Sequence, residues 1–308
     1  MGQFFLSRAL QSLVSLLGVT ALIFFLQRLT GDPVLLMLPE GASNEAIALM
    51  RNQLGLDQPI WVQFVDYLRG VMSLDFGASL VQKVPVVDII VSRMPYTLAL
   101  AAVALTRAMG IGLPLGVWMA VRRDSIISKC GLWLVLAGQS TPTFWSGVLL
   151  ILGFGVYLGW LPTSGARTTS SVILPAIALS LLSMATFARI ARTSVLDQLA
   201  MPYVRAARAK GQSELAVVRA HVLRNSAIPV VTVAALEIVN LVTGAVIVET
   251  VFAWPGIGQL TVQSIAARDF PIVQGIVLIG AFASIGLNLL ADLVYSLIDP
   301  RIRLGGTP

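Results

Sequence analysis

Three ionisable residues fall inside long apolar runs of this sequence: Arg107, Glu237 and Asp292. A charge at bilayer depth is expensive, so such a residue faces a cavity, a partner or the nearest interface. Asp292 stands close to the end of its run, where a side chain can snorkel to water. Arg107 and Glu237 stand deeper. They are the candidates for lining a solute path, with pairing to each other or to another subunit as the alternative. No catalytic constellation surrounds them. The chain has one histidine, His221, and one cysteine, Cys130. That excludes an internal disulfide and a cysteine-based metal cluster. No G-x-x-x-x-G-K-[ST], H-E-x-x-H or G-x-S-x-G occurs. A phosphate cradle, a zinc-protease helix and a nucleophile elbow are therefore not written here. The sequence reads as a non-enzyme without a cofactor or metal of its own.

A second kind of chemistry lies in the polar stretch Pro202 to Asn225. It holds Arg205, Arg208, Lys210, Arg219, Arg224 and His221 against a single acid, Glu214. The spacing predicts two short helices and a hinge. Pro202 suits the first helical position, where its missing N–H costs nothing. Gly211 suits the left-handed residue that ends a helix. Ser213 can cap the next helix through its hydroxyl. Ala206, Ala207 and Gly211 leave the backbone nearly bare, so a partner surface could approach closely. The plain alternative is a solvated loop whose charges only mark the cytoplasmic side.

The order Arg205-Ala206-Ala207, with Gly211 four residues on, resembles the "EAA" loop of bacterial ABC-importer permeases. These are the type I membrane subunits that work with a binding protein. The longer wording Tyr203-Val204-Arg205-Ala206-Ala207-Arg208-Ala209-Lys210-Gly211, then His221-Val222-Leu223-Arg224-Asn225, is similar to the dipeptide, oligopeptide and nickel branch. Arg205 stands where many families have Glu, and Arg224 where proline is usual. Leu158-Gly159-Trp160-Leu161-Pro162, Phe252-Ala253-Trp254-Pro255-Gly256-Ile257-Gly258 and Ile298-Asp299-Pro300-Arg301 resemble the same branch.

The resemblance implies a permease subunit for di- or oligopeptides or a related solute such as glutathione, with a nickel importer as the alternative. It implies a second, similar permease, two cytoplasmic ATPase subunits carrying the ATP and Mg, and an extracytoplasmic solute-binding protein. It assigns ATPase coupling to Tyr203, Arg205, Ala206, Ala207, Ala209 and Gly211. A secondary transporter is the rival class. It would often show internal repeats, and none is visible.

Composition sets the solvent. Of 308 residues, 56% are hydrophobic and 12% charged, with mean hydropathy +0.85. Soluble domains run near a quarter charged. A spanning helix takes about 20 apolar residues, and six such runs are expected, at 9–27, 95–121, 131–159, 172–190, 227–249 and 272–297. The result is an all-α polytopic membrane protein, a type I ABC-importer transmembrane domain by resemblance. A cleavable leader is the rival for the first run, but no small-x-small cleavage site precedes Arg28.

Six spans put both termini on one side. That side would collect Arg8, Arg122, Arg123, Lys129, Arg189, Arg192, the bases of the 202–225 stretch, Arg301 and Arg303, 13 in all without His221, against seven opposite. It is therefore cytoplasmic. The net charge of +6 serves topology in lipid and does not call for nucleic acid. Thr141-Pro142-Thr143 should kink the third span. The pairs Gly112/Gly116 and Gly155/Gly159 permit close packing. Trp160 and Trp254 fit an interfacial belt.

The domain reading follows. Residues 1–93 form the first span with an extracytoplasmic subdomain. Residues 94–298 form the core, with a cytoplasmic coupling loop at about 192–225, and 299–308 form a cytoplasmic tail. The 31–93 segment has seven acids and four bases. It should fold two amphipathic helices, Ser43–Leu54 and Pro59–Arg69. It should either pack on the outer ends of the spans or dock the binding protein.

Overall fold

In lipid a backbone can pair its amides only within helices or closed barrels, and the long apolar runs take the first course. The computed structural model describes residues 2–30, 34, 43–53 and 55–298. Residues 31–33, the side chain of Asp292 and the tail at 299–308 lie outside the described residues. The helices are α1 (Gly2–Thr30), α2 (Asn44–Gln53), α3 (Ile60–Met72), α4 (Val86–Val121), α5 (Ile126–Ser140), α6 (Thr143–Leu150), α7 (Ile173–Leu199), α8 (Pro202–Ala209), α9 (Glu214–Val217), α10 (Leu223–Val251), α11 (Ile257–Ala266) and α12 (Phe270–Ile298). A π-helical segment, Ile151–Tyr157, extends α6, and another, Val218–Val222, joins α9 to α10. Val86–Val121, Thr169–Leu199 and Pro229–Val251 are each long and apolar enough to cross a membrane.

The third expected span is broken. Ile126–Ser140 and Thr143–Tyr157 meet at 103°. Pro142 cannot donate to a helix ladder, and its carbonyl instead accepts from Trp145 and Ser146. The bend is far sharper than a proline kink. It makes the pair either a broken span or a re-entrant hairpin.

The chain divides into two compact units. The first takes the described residues up to Met94 together with Leu260–Leu289. In it Phe24 of α1 meets Phe64 and Tyr67 of α3, with ring centroids 5.0 and 5.5 Å apart. Both amphipathic helices expected within residues 31–93 are present, as α2 and α3. The inner face of α3 thus packs on α1, whereas Ile60, Trp61 and Val65 remain exposed.

The second unit is built on Pro95–Gln259. Its core joins Leu100 and Ala104 of α4, Leu174 and Leu179 of α7, and Leu241, Ala245 and Val248 of α10. Gly112 and Gly116 press on α7. A Cβ on Gly112 would strike Met184 and Phe187, and one on Gly116 would strike Ala188 and Ala191. Small residues bring these helices together, as their spacing suggested. The other pair behaves differently. Gly155 lies against Thr163, but Gly159 has open space and φ +63. It is a turn residue rather than a packing one. Trp254 also departs from expectation. It is buried, and its indole N–H donates to the Tyr96 carbonyl at 3.0 Å. It anchors the loop instead of joining an interfacial belt, while Trp160 is exposed.

Candidate functional site

The polar stretch folds as its residue types dictate. Pro202 opens α8, Gly211 takes φ +78, and the Ser213 hydroxyl accepts from the Ala216 N–H at 3.4 Å. Arg208 then clamps the two short helices together. Its Nε and Nη2 donate to the Glu214 carboxylate at 2.7 and 3.1 Å. His221 and Gln212 share a hydrogen bond at 3.2 Å. The Tyr203 hydroxyl donates to Gln198 at 2.7 Å and accepts from Asn225 at 3.2 Å, tying α8 to α7 and α10.

The six residues singled out from the sequence do not share one face. Val204 and Ala207 are buried against Ala120, Val195, Val217 and Val222. Ala207 therefore packs on the chain's own core and is not offered to a partner. Arg205, Ala206, Ala209 and Gly211 are exposed, and Tyr203 is half-buried. The outward surface is a bare, basic strip fixed by an apolar underside.

The intramembrane candidates also separate. Glu237 of α10 is buried, and its Oε2 accepts from the Ser183 hydroxyl of α7 at 2.5 Å. It lines a recess of about 560 Å³ with Gln139, Thr143, Ser183, Asn240 and Thr243 among its polar neighbours. Gln139 and Thr143 come from either side of the α5–α6 break. Interrupted backbone at this depth is tolerated where it is buried in protein or lines a cavity. Arg107 is not among the recess residues and makes no ion pair with Glu237. Its Nε is buried with no hydrogen-bond partner among the described residues.

Two further acids carry more contacts than either candidate. Glu249, at the last turn of α10, is fully buried. Its Oε1 accepts from the Thr97 hydroxyl at 2.6 Å, and its Oε2 from the Gln259 N–H at 3.1 Å. Thr97 in turn accepts from the Ile257 N–H at 2.8 Å. The carboxylate thus satisfies the free N–H groups that open α11, with the helix dipole in its favour. A Cβ on Gly256 or Gly258 would run into that carboxylate, so the loop closes around it only with glycine there. The sequence signal was an acid at the edge of an apolar run, followed by Gly256-Ile257-Gly258.

Asp269, in the other unit, holds a loop in the same way. It accepts from the Ser79 hydroxyl at 2.5 Å and from the N–H groups of Leu80 and Val81 at 3.0 and 3.3 Å. Its partners lie about 190 positions away in sequence, and no local pattern announces them.

The chain matches the family model described as binding-protein-dependent transport system inner membrane component over residues 112–304, and the N-terminal model of such membrane components over residues 1–101. It is 38% identical to the dipeptide transport system permease protein DppB of Escherichia coli strain K12, covering 98% of each chain. It is 43% identical to the glutathione transport system permease protein GsiC of Salmonella typhimurium strain LT2, covering 97% of this chain and 98% of that one. Among solved structures, an inward-facing form of the MetNI methionine ABC transporter matches with TM-score 0.57 and 21% identity, over 68% of this chain and 96% of that chain. An amino acid ABC transporter matches with TM-score 0.53 and 20% identity, over 68% and 94%.

Proposed function

This chain belongs to the family of binding-protein-dependent transport system inner membrane components, and we propose that its cargo is a small peptide or a peptide-like solute such as glutathione. It is a multi-pass permease of the bacterial inner membrane, the transport subunit of an ABC importer. Full-length likeness to permeases named for dipeptides and for glutathione supports the cargo.

The finer organisation is part of the same proposal. The chain crosses the membrane six times with both termini in the cytoplasm. It pairs with a second, similar permease. Two cytoplasmic ATPase subunits hold the ATP and Mg. An extracytoplasmic binding protein delivers cargo near the outward residues of α3. The exposed strip of Arg205, Ala206, Ala209 and Gly211 seats on an ATPase subunit.

One observation carries the coupling mechanism. Helix α7 bears Ser183 of the polar recess and, further along, Val195 and Leu196, which pack with the underside of α8. A push on α8 therefore moves a wall of the recess. ATP-bound and ATP-free partners bind the two positions with different affinity, which is all a two-state cycle requires.

The test is uptake of dialanine by proteoliposomes holding the complete complex. The expected result is uptake only with both ATP inside and loaded binding protein outside. Uptake at the same rate without either would overturn the proposal.

A further inference from the structure

We propose that the recess around Glu237 is a binding subsite for a primary ammonium group adjacent to an amide, the chemistry found at the amino end of a peptide. The inference rests on the importer reading above and goes beyond it to say which end of the solute this subunit holds.

The lining makes the choice. Among the described residues that line the recess, Glu237 is the only charged one, and no lysine or arginine stands with it. Ser183 occupies Oε2, and no donor in the described residues reaches Oε1. One carboxylate oxygen thus remains for a ligand. A buried carboxylate is favourable only when it is paired or hydrogen-bonded, and a cationic donor meets that need best. Gln139 and Asn240 add side-chain amides, which can give and accept hydrogen bonds as a peptide group requires. Thr143 and Thr243 add hydroxyls at the same wall, the latter already donating to the Val239 carbonyl at 2.9 Å. The volume, about 560 Å³, lies within the range of small-ligand pockets.

Other cargo fits less well. A transition metal seeks imidazole or thiolate, and the described lining residues offer neither. A carboxylate or phosphate would meet Glu237 with no cation beside it. The carboxyl end of a peptide must therefore be held elsewhere along the path.

The experiment uses the purified permease–ATPase complex without its binding protein. Two probes are titrated by saturation-transfer NMR: glycinamide, which has an ammonium beside an amide, and N-acetylglycinamide, which has lost the charge. Glycinamide should bind and the acetylated probe should not. Glu237→Gln keeps an acceptor for Ser183 and should weaken glycinamide about ten-fold, the scale of losing a charge-assisted hydrogen bond. Asn240→Ala changes an exposed residue and should weaken it about three-fold, the lower end of a neutral hydrogen bond. If Glu237→Gln does not assemble, Asn240→Ala decides. Equal binding of the two probes, no binding of glycinamide, or titrations unchanged by the substitutions would overturn the subsite. Failure of dialanine uptake by the wild-type complex would instead overturn the peptide cargo, while the glycinamide titration still decides what the recess holds.

Discussion

A buried carboxylate is stable only when its lone pairs are met, and Glu249 shows how far a chain must fold to meet them. Thr97 lies 152 positions away. Glu237 and Arg107 were legible because each interrupts an apolar run. Glu249 was not, because it sits where a run ends and an acid there looks like ordinary interface. Only its long-range partners mark it out. Thr97 is the joint of that network, since one hydroxyl donates to Glu249 and accepts from Ile257. Thr97→Val keeps the shape and removes both bonds. Each orphaned group should cost about 1–3 kcal/mol. In the purified complex the melting temperature should fall by on the order of 5 °C, and Thr97→Ser should restore it. A Thr97→Val complex that melts with the wild type would mean that the network contributes nothing to stability.

At the scale of elements, local chemistry wrote the ends of helices clearly and their bends poorly. Pro202, Gly211 and Ser213 each stand where their backbone and hydroxyl preferences place them. The 103° break at Thr141-Pro142 was foreseen only as a kink. A proline predicts a missing bond, while the angle depends on what the freed backbone packs against. The sides of α8 were equally hidden, because three neighbouring small residues look alike until the helix is seated. Seating separates them. Ala206 faces out on a helical backbone, so Ala206→Glu adds charge without strain. Ala207 faces the cluster of Ala120, Val204 and Val217, so Ala207→Glu buries an unpaired carboxylate. Ala206→Glu should leave membrane insertion and protein level unchanged and cut ATP-driven dialanine uptake at least about ten-fold, equivalent to about 1.4 kcal/mol of lost coupling. Ala207→Glu should lower the amount of folded subunit itself. Equal uptake by Ala206→Glu and wild type would remove α8 from the ATPase contact.

For the whole molecule, charge is the organising quantity. Hydropathy fixed where the chain meets lipid, but it has no sense of direction. The proposed direction rests on the 13 bases against seven, most of them in short connections, where the bias is most reliable. The hinge between α4 and α5 is the sharpest case. Arg122 and Arg123 lie in a turn of few residues and Lys129 in the first turn of α5, and Arg123 shares only a surface contact with Asp124 at 3.6 Å. Such a cluster would resist passage across the membrane. The single cysteine offers a direct reading of this assignment. Cys130 is free and exposed, and it begins the second turn of α5 just past Lys129. A thiol on the cytoplasmic side is shielded from an impermeant maleimide in intact cells and open to it in inverted membrane vesicles. Labelling should therefore be strong in inverted vesicles and near background in intact cells, with Cys130→Ser abolishing both signals. Strong labelling in intact cells would place the α4–α5 turn outside. It would reverse the inferred orientation and remove α8 from the side on which ATP is hydrolysed.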